Sequence, residues 1–181
     1  MTGRRWAGAM AAALLALAAG IYFGAWHRSV PAGPSPASIE AFYAASLPDL
    51  AATPQRMAQW KDRILVVNFW ATWCEPCREE IPGLIRSQSK SSSKNVQIVG
   101  IALDSADKVA AFAKSAGINY PVLIGGLDGF KLAELLGNRS GALPYTIVIA
   151  PQGQQARGHL GMVREALLEQ LITEIGTATR P

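Results

Sequence analysis

Cysteine is scarce in this 181-residue chain, which has only Cys74 and Cys77. A small secreted scaffold stapled by disulfides spreads several cysteines along its length, so that class is excluded. Histidine is equally rare, limited to His27 and His159. Structural zinc needs about four Cys or His ligands, and no second Cys-x-x-Cys accompanies the first; no metal is assigned. Basic runs interleaved with aromatics are missing too. The 17 Lys and Arg, against 13 Asp and Glu, are scattered, so nucleic acid is not expected as a partner. No internal repeat occurs. What remains is a chain that is half hydrophobic and 17% charged, enough for one globular core with a short appendage.

The appendage is N-terminal. Arg4 and Arg5 precede an uncharged stretch from Trp6 to Trp26. As a helix it would be roughly 31 Å long at about 1.5 Å per residue, close to the hydrocarbon thickness of a bilayer. Trp6, Tyr22 and Trp26 lie toward its ends, where amphipathic aromatics favour the interface. The arginines favour a cytoplasmic N-terminus, although Arg28 on the far side weakens the asymmetry. The alternative is a cleaved signal peptide, for which the stretch is long and a small-x-small site is not evident. Residues 1–28 are therefore expected to be a membrane anchor, or else a signal sequence, with the rest of the chain exported. Ser29 to Ser38 (SVPAGPSPAS) reads as an extended linker, and the folded domain is expected over 39–181.

Within that domain the periodicity alternates. Ile64 to Ala71 (ILVVNFWA) is a short apolar run, as in a strand buried on both faces. Glu75 to about Lys90 reads as a helix with Cys77, Ile81, Leu84 and Ile85 on one face. Strands follow at Val96–Leu103 and Tyr120–Ile124, and helices at Ala106–Ala116 and Gly129–Leu136. Tyr145–Ala150 and Gln154–Leu160 flank the turn signal Pro151-Gln152-Gly153, and Val163–Ile175 closes the chain as a helix. Leu47 to Trp60 is ambiguous, with a short strand near Leu50 and a turn expected. The pattern predicts an α/β fold: a three-layer sandwich around a mixed sheet.

Trp73-Cys74-Glu75-Pro76-Cys77 leaves a buried strand and opens a helix. With Cys74 at the N-cap, the sulfurs lie one turn apart, their Cβ atoms about 5–6 Å from each other. Little movement is then needed to form or break a disulfide. So short a loop constrains the unfolded chain weakly, so reactivity explains the pair better than structure. Free amides at the helix start favour a thiolate on Cys74, the expected nucleophile, and Cys77 would resolve the mixed disulfide. Pro76 is tolerated in the first turn. Glu80 lies one turn beyond Cys77 on the inward face, where a desolvated carboxylate could exchange protons with the deeper thiol; the alternative is an exposed helix-start glutamate, the better reading for Glu79. Glu75 is expected to face solvent and to oppose thiolate formation on Cys74. Two thiolates would also suit Cu(I), so a copper carrier stays open. Pro144, entering a strand after Leu143, has no ladder donor, and a cis bond in a tight turn would resolve this. Asn138-Arg139-Ser140 fits a glycosylation sequon and reads as a surface loop.

These residues resemble the TlpA/ResA-like branch of the thioredoxin superfamily from roughly Leu47 onward. Asn68 to Cys77 (NFWATWCEPC) is close to that family's active-site segment, and Arg78-Glu79-Glu80-Ile81-Pro82 to its helix. The resemblance implies a thioredoxin fold with a strand–helix insert between Cys77 and Pro144. It also implies that Leu143-Pro144 is a cis-proline loop whose backbone docks an extended substrate segment, with Trp73, Glu75 and Pro76 beside it. No cofactor is implied beyond the Cys74–Cys77 disulfide. Implied partners are thiols or disulfides of exported proteins and a membrane electron donor, with the domain on the periplasmic side of a bacterial inner membrane. The implied activity is disulfide reduction, as in cytochrome c or copper-centre maturation, and the acidic Glu75 agrees with a reducing couple. Thioredoxin itself has a buried aspartate where this chain has Asn68, which cannot titrate, so proton handling falls to Glu80. A peroxiredoxin-like peroxidase would have a Pro-x-x-x-Thr-x-x-Cys approach; Val67 and Ala71 occupy those two places.

Overall fold

The computed structural model describes residue 20, residues 33–91 and residues 95–178. The expected anchor at 1–28 falls, apart from residue 20, outside them. Among the described residues no helix is long and apolar enough to cross a membrane.

The unit from Gly33 onward is built on a five-stranded sheet. Its elements are α1 (Pro36–Ala44), β1 (Ser46–Pro48), β2 (Pro54–Arg56), a 3-10 turn (Met57–Trp60), β3 (Ile64–Trp70), α2 (Glu75–Ser91), β4 (Val96–Ala102), α3 (Ala106–Ala116), β5 (Val122–Ile124), α4 (Gly126–Leu135), β6 (Tyr145–Ile149), β7 (Ala156–Leu160) and α5 (Glu165–Ala178). The strand order is β5-β4-β3-β6-β7. β3 runs parallel to β4, and β4 to β5; β6 is antiparallel to both β3 and β7. The interval between Cys77 and Pro144 therefore holds β4, α3, β5 and α4.

Side chains alternate across β3, which divides the core in two. Leu65, Val67 and Phe69 join Ile39, Phe42, Leu132 and Leu136 beneath α1 and α4. Val66 and Trp70 join Cys77, Ile81, Leu84, Val109, Leu168 and Ile175 beneath α2, α3 and α5. Helices thus cover both faces, giving the expected three layers. The same parity puts Asn68 on the α2 face.

The structure departs from the sequence reading near its edges. α1 starts at Pro36, three residues inside the segment read as linker. Ser35 caps it, its hydroxyl accepting the Ser38 amide at 3.1 Å, with proline in the first turn. The ambiguous stretch forms the hairpin β1–β2, and β1 lies ahead of the expected Leu50. α4 begins three residues early, at Gly126. Gly129 in this helix has a packing reason: a Cβ there would clash with the Leu103 side chain.

Candidate active site

β3 ends at Trp70, and its chain turns into α2 through Ala71–Cys74. Two contacts shape this turn. Leu103 donates its amide to the Trp70 carbonyl at 2.8 Å. The Thr72 hydroxyl is hydrogen-bonded to Asp104 just past β4, which holds that carboxyl below the usual carboxylate range. The ends of two parallel strands thus fix where α2 begins.

Cys74 and Cys77 are joined as a disulfide, with Cα atoms 5.3 Å apart. The Cys77 amide donates to Cys74 Sγ at 3.3 Å. This is one of the helix-start donors that the helix itself leaves unused, and it points at the sulfur expected to carry negative charge. Cys74 is 6% exposed. Cys77 is at 0%. Only the first cysteine keeps any surface.

Trp73 stands out beside it, 66% exposed, and Glu75 and Pro76 are exposed as well. Leu143 packs partly buried against the same core cluster as both cysteines. The Leu143–Pro144 bond is cis, and the Pro144 carbonyl accepts the Gly161 amide at 2.9 Å. The loop before it is stapled from within. Asn138 Nδ2 donates to the Ala142 carbonyl at 2.9 Å, and the Ser140 hydroxyl donates to Asn138 Oδ1 at 3.0 Å. Asn138, read from sequence as part of a surface loop, is buried; its amide serves that staple.

Glu80 is 3% exposed. Its Oε1 accepts Asn68 Nδ2 at 2.7 Å and its Oε2 accepts the Val163 amide at 2.7 Å. Burial pushes its pKa up to about 7, and the two donors pull against that rise. A carboxyl group poised near neutrality, one turn from a buried cysteine, is suited to taking and returning a thiol proton.

Sequence reasoning reached Cys74, Cys77 and Glu80 but missed Thr146 and the Val163 amide, and gave Asn68 no role beyond its inability to titrate. Asn68 had a signal, since a lone amide in a fully apolar strand must find partners. Thr146 and Val163 had none, because their roles depend on strand register and on a loop. Among the described residues no group of three or more His, Cys, Asp or Glu is placed to hold a metal ion.

Comparison with known proteins agrees with this geometry. The AhpC/TSA family model matches residues 40–155. The thiol-disulfide oxidoreductase ResA of Bacillus subtilis is 29% identical over 66% of this chain and 65% of its own length, just under two thirds of that relative. The thioredoxin-like protein YneN of the same organism is 35% identical over 69% of this chain and 72% of its own. Among solved structures, a thiol:disulfide interchange protein of the thioredoxin family from Chlorobium tepidum superposes with a TM-score of 0.67 at 27% identity. That superposition covers 80% of this chain and 97% of the other. A thioredoxin-related protein from Neisseria meningitidis serogroup B gives 0.65 at 34% identity, covering 72% and 98%. The chain belongs to the AhpC/TSA family and, within the thioredoxin superfamily, to its TlpA/ResA-like thiol-disulfide oxidoreductases.

Proposed function

We propose that this protein is a membrane-anchored, extracytoplasmic reductase of disulfides in exported proteins, of the kind that cytochrome c or copper-centre maturation requires. The observation that carries the exchange chemistry is the asymmetry of the disulfide. The first cysteine retains some surface and its sulfur faces a helix-start amide; the second is sealed in, one helical turn from Glu80.

In the reducing direction the Cys74 thiolate attacks a client disulfide. A mixed disulfide forms and one client sulfur leaves, taking up a proton. Cys77 then passes its proton to Glu80 and attacks Cys74 Sγ. The Cys74–Cys77 bond forms, the mixed disulfide breaks, and the second client sulfur leaves as a thiol. Two electrons have moved to the client, and an outside dithiol donor, taken here as membrane-held, must return them. Trp73, Glu75 and Pro76 flank the attacking sulfur. Leu143 and Pro144 offer the backbone edge for an extended client segment. The acidic Glu75 supports a reducing rather than oxidising couple, since a neighbouring negative charge disfavours the thiolate. The apolar, arginine-preceded stretch at 6–26 supports the anchor.

Trapping tests the reading. In the native envelope, Cys77→Ser should accumulate mixed disulfides between Cys74 and exported proteins, released by a small dithiol. A protein that only carried Cu(I) on the two sulfurs would form none.

A further inference from the structure

Asn68 is a carboxamide in the middle of an otherwise apolar strand, fully buried at 0% exposure. A buried amide is costly unless bonded; both of its N–H groups are used, while its Oδ1 is buried with no hydrogen-bond partner among the described residues. One meets Glu80 Oε1 at 2.7 Å. The other meets Thr146 Oγ1 at 2.9 Å, and Thr146 stands opposite Asn68 in the β3–β6 register. We propose that Asn68 is a positioning residue for thiol exchange: braced by Thr146, its amide donates to Glu80 and so sets how readily that carboxyl group gives up its proton. The inference rests on the reading of Glu80 as proton partner of the buried thiol.

The chemistry is one-sided. The NH2 of a carboxamide only donates, so it favours a carboxylate over a carboxylic acid at Oε1. An apolar side chain at 68 would leave Glu80 with the Val163 amide alone against the full effect of burial. An aspartate would be a second acid competing for the same proton. Asparagine holds the donor in place without titrating.

The other titratable or charged groups around the carboxyl are few. Tyr120, buried ahead of β5, has its phenol pushed upward by burial and by Glu80 itself. Glu79 and Arg86 on α2, with Arg164 and Glu165 after β7, line a cavity of about 150 Å³ that Glu80 also borders. His159 stands beside Thr146 in the β6–β7 register. Cys77 joins them when reduced.

The test is a titration of the full-length protein in its oxidised form, where the cysteines carry no ionisable proton. Carboxyl 13C NMR of this oxidised form follows Glu80 directly, and the pH profile of client-disulfide reduction by the separately prepared reduced protein follows its effect. The wild type should show a midpoint near 7 in the oxidised form and an acid limb in the rate of the reduced form. Asn68→Leu, similar in shape but with no donor, should move both up by about one to two pH units. Glu80→Gln should abolish the limb; a limb that survives overturns the Glu80 reading. A limb lost in Glu80→Gln, with midpoint and limb unmoved in Asn68→Leu, overturns the role of Asn68 alone. Should Asn68→Leu fail to fold, Asn68→Asp decides. Two coupled midpoints, one well above 7, support the proposal, and an unmoved Glu80 midpoint contradicts it.

Discussion

Among the described residues Glu80 is the one carboxylate sealed within the domain, and its cost depends on pH. In the unfolded chain it titrates near 4.5; in the fold, near 7. Between those values the folded state binds the extra proton, so Glu80's contribution to stability is present below 4.5 and is lost as pH rises through 7. Glu80→Gln stays neutral throughout. The variant should therefore gain stability relative to wild type from pH 5 to pH 8, on the order of 2 kcal/mol. Denaturant titrations of both oxidised proteins at the two pH values measure this, and a gap that narrows toward pH 8 would refute it. Glu80 could be read from sequence because the helical repeat fixes its side relative to Cys77. What surrounds it could not: the register that places Thr146 opposite Asn68 spans 78 residues, and no local pattern encodes that pairing.

At the scale of elements, β3 and α2 are the most plainly written parts of the chain. β3 is apolar at every one of its seven positions but Asn68, and α2 buries Cys77, Glu80, Ile81, Leu84, Ser87 and Ser91 at helical spacing. α1 was obscured because its first residues share the Pro- and Ser-rich composition of a linker, and only the Ser35 cap and the burial of Ile39, Phe42 and Tyr43 make it a helix. The β6–β7 hairpin depends on a small residue inside β7, Gly158. A Cβ at Gly158 would lie 2.2 Å from Tyr145 Oη, and that hydroxyl donates to the Leu136 carbonyl at 2.7 Å, joining the end of α4 to β6. Gly158→Ala must displace the ring and strand a buried carbonyl, so it should cost about 2–3 kcal/mol. Thermal denaturation reads the loss; an unchanged midpoint would show that the ring can move without penalty.

For the molecule as a whole, the unit from Gly33 onward contains the sheet, both core clusters and every residue of the exchange site. A chain beginning at Gly33 should therefore fold and exchange with a small soluble disulfide at an unchanged rate. The full chain should stay with membranes through alkaline washing, whereas the shortened one should be released. A shortened chain that failed to fold would show that the first 32 residues contribute to the core. Everything proposed for clients and donors depends on a division of labour between two sulfurs. The most direct check is to reduce the full-length protein, add less than one equivalent of iodoacetamide at neutral pH, and map the adduct by mass spectrometry. Modification falling almost wholly on Cys74 is the predicted result; modification of Cys77, or of neither, would contradict the account.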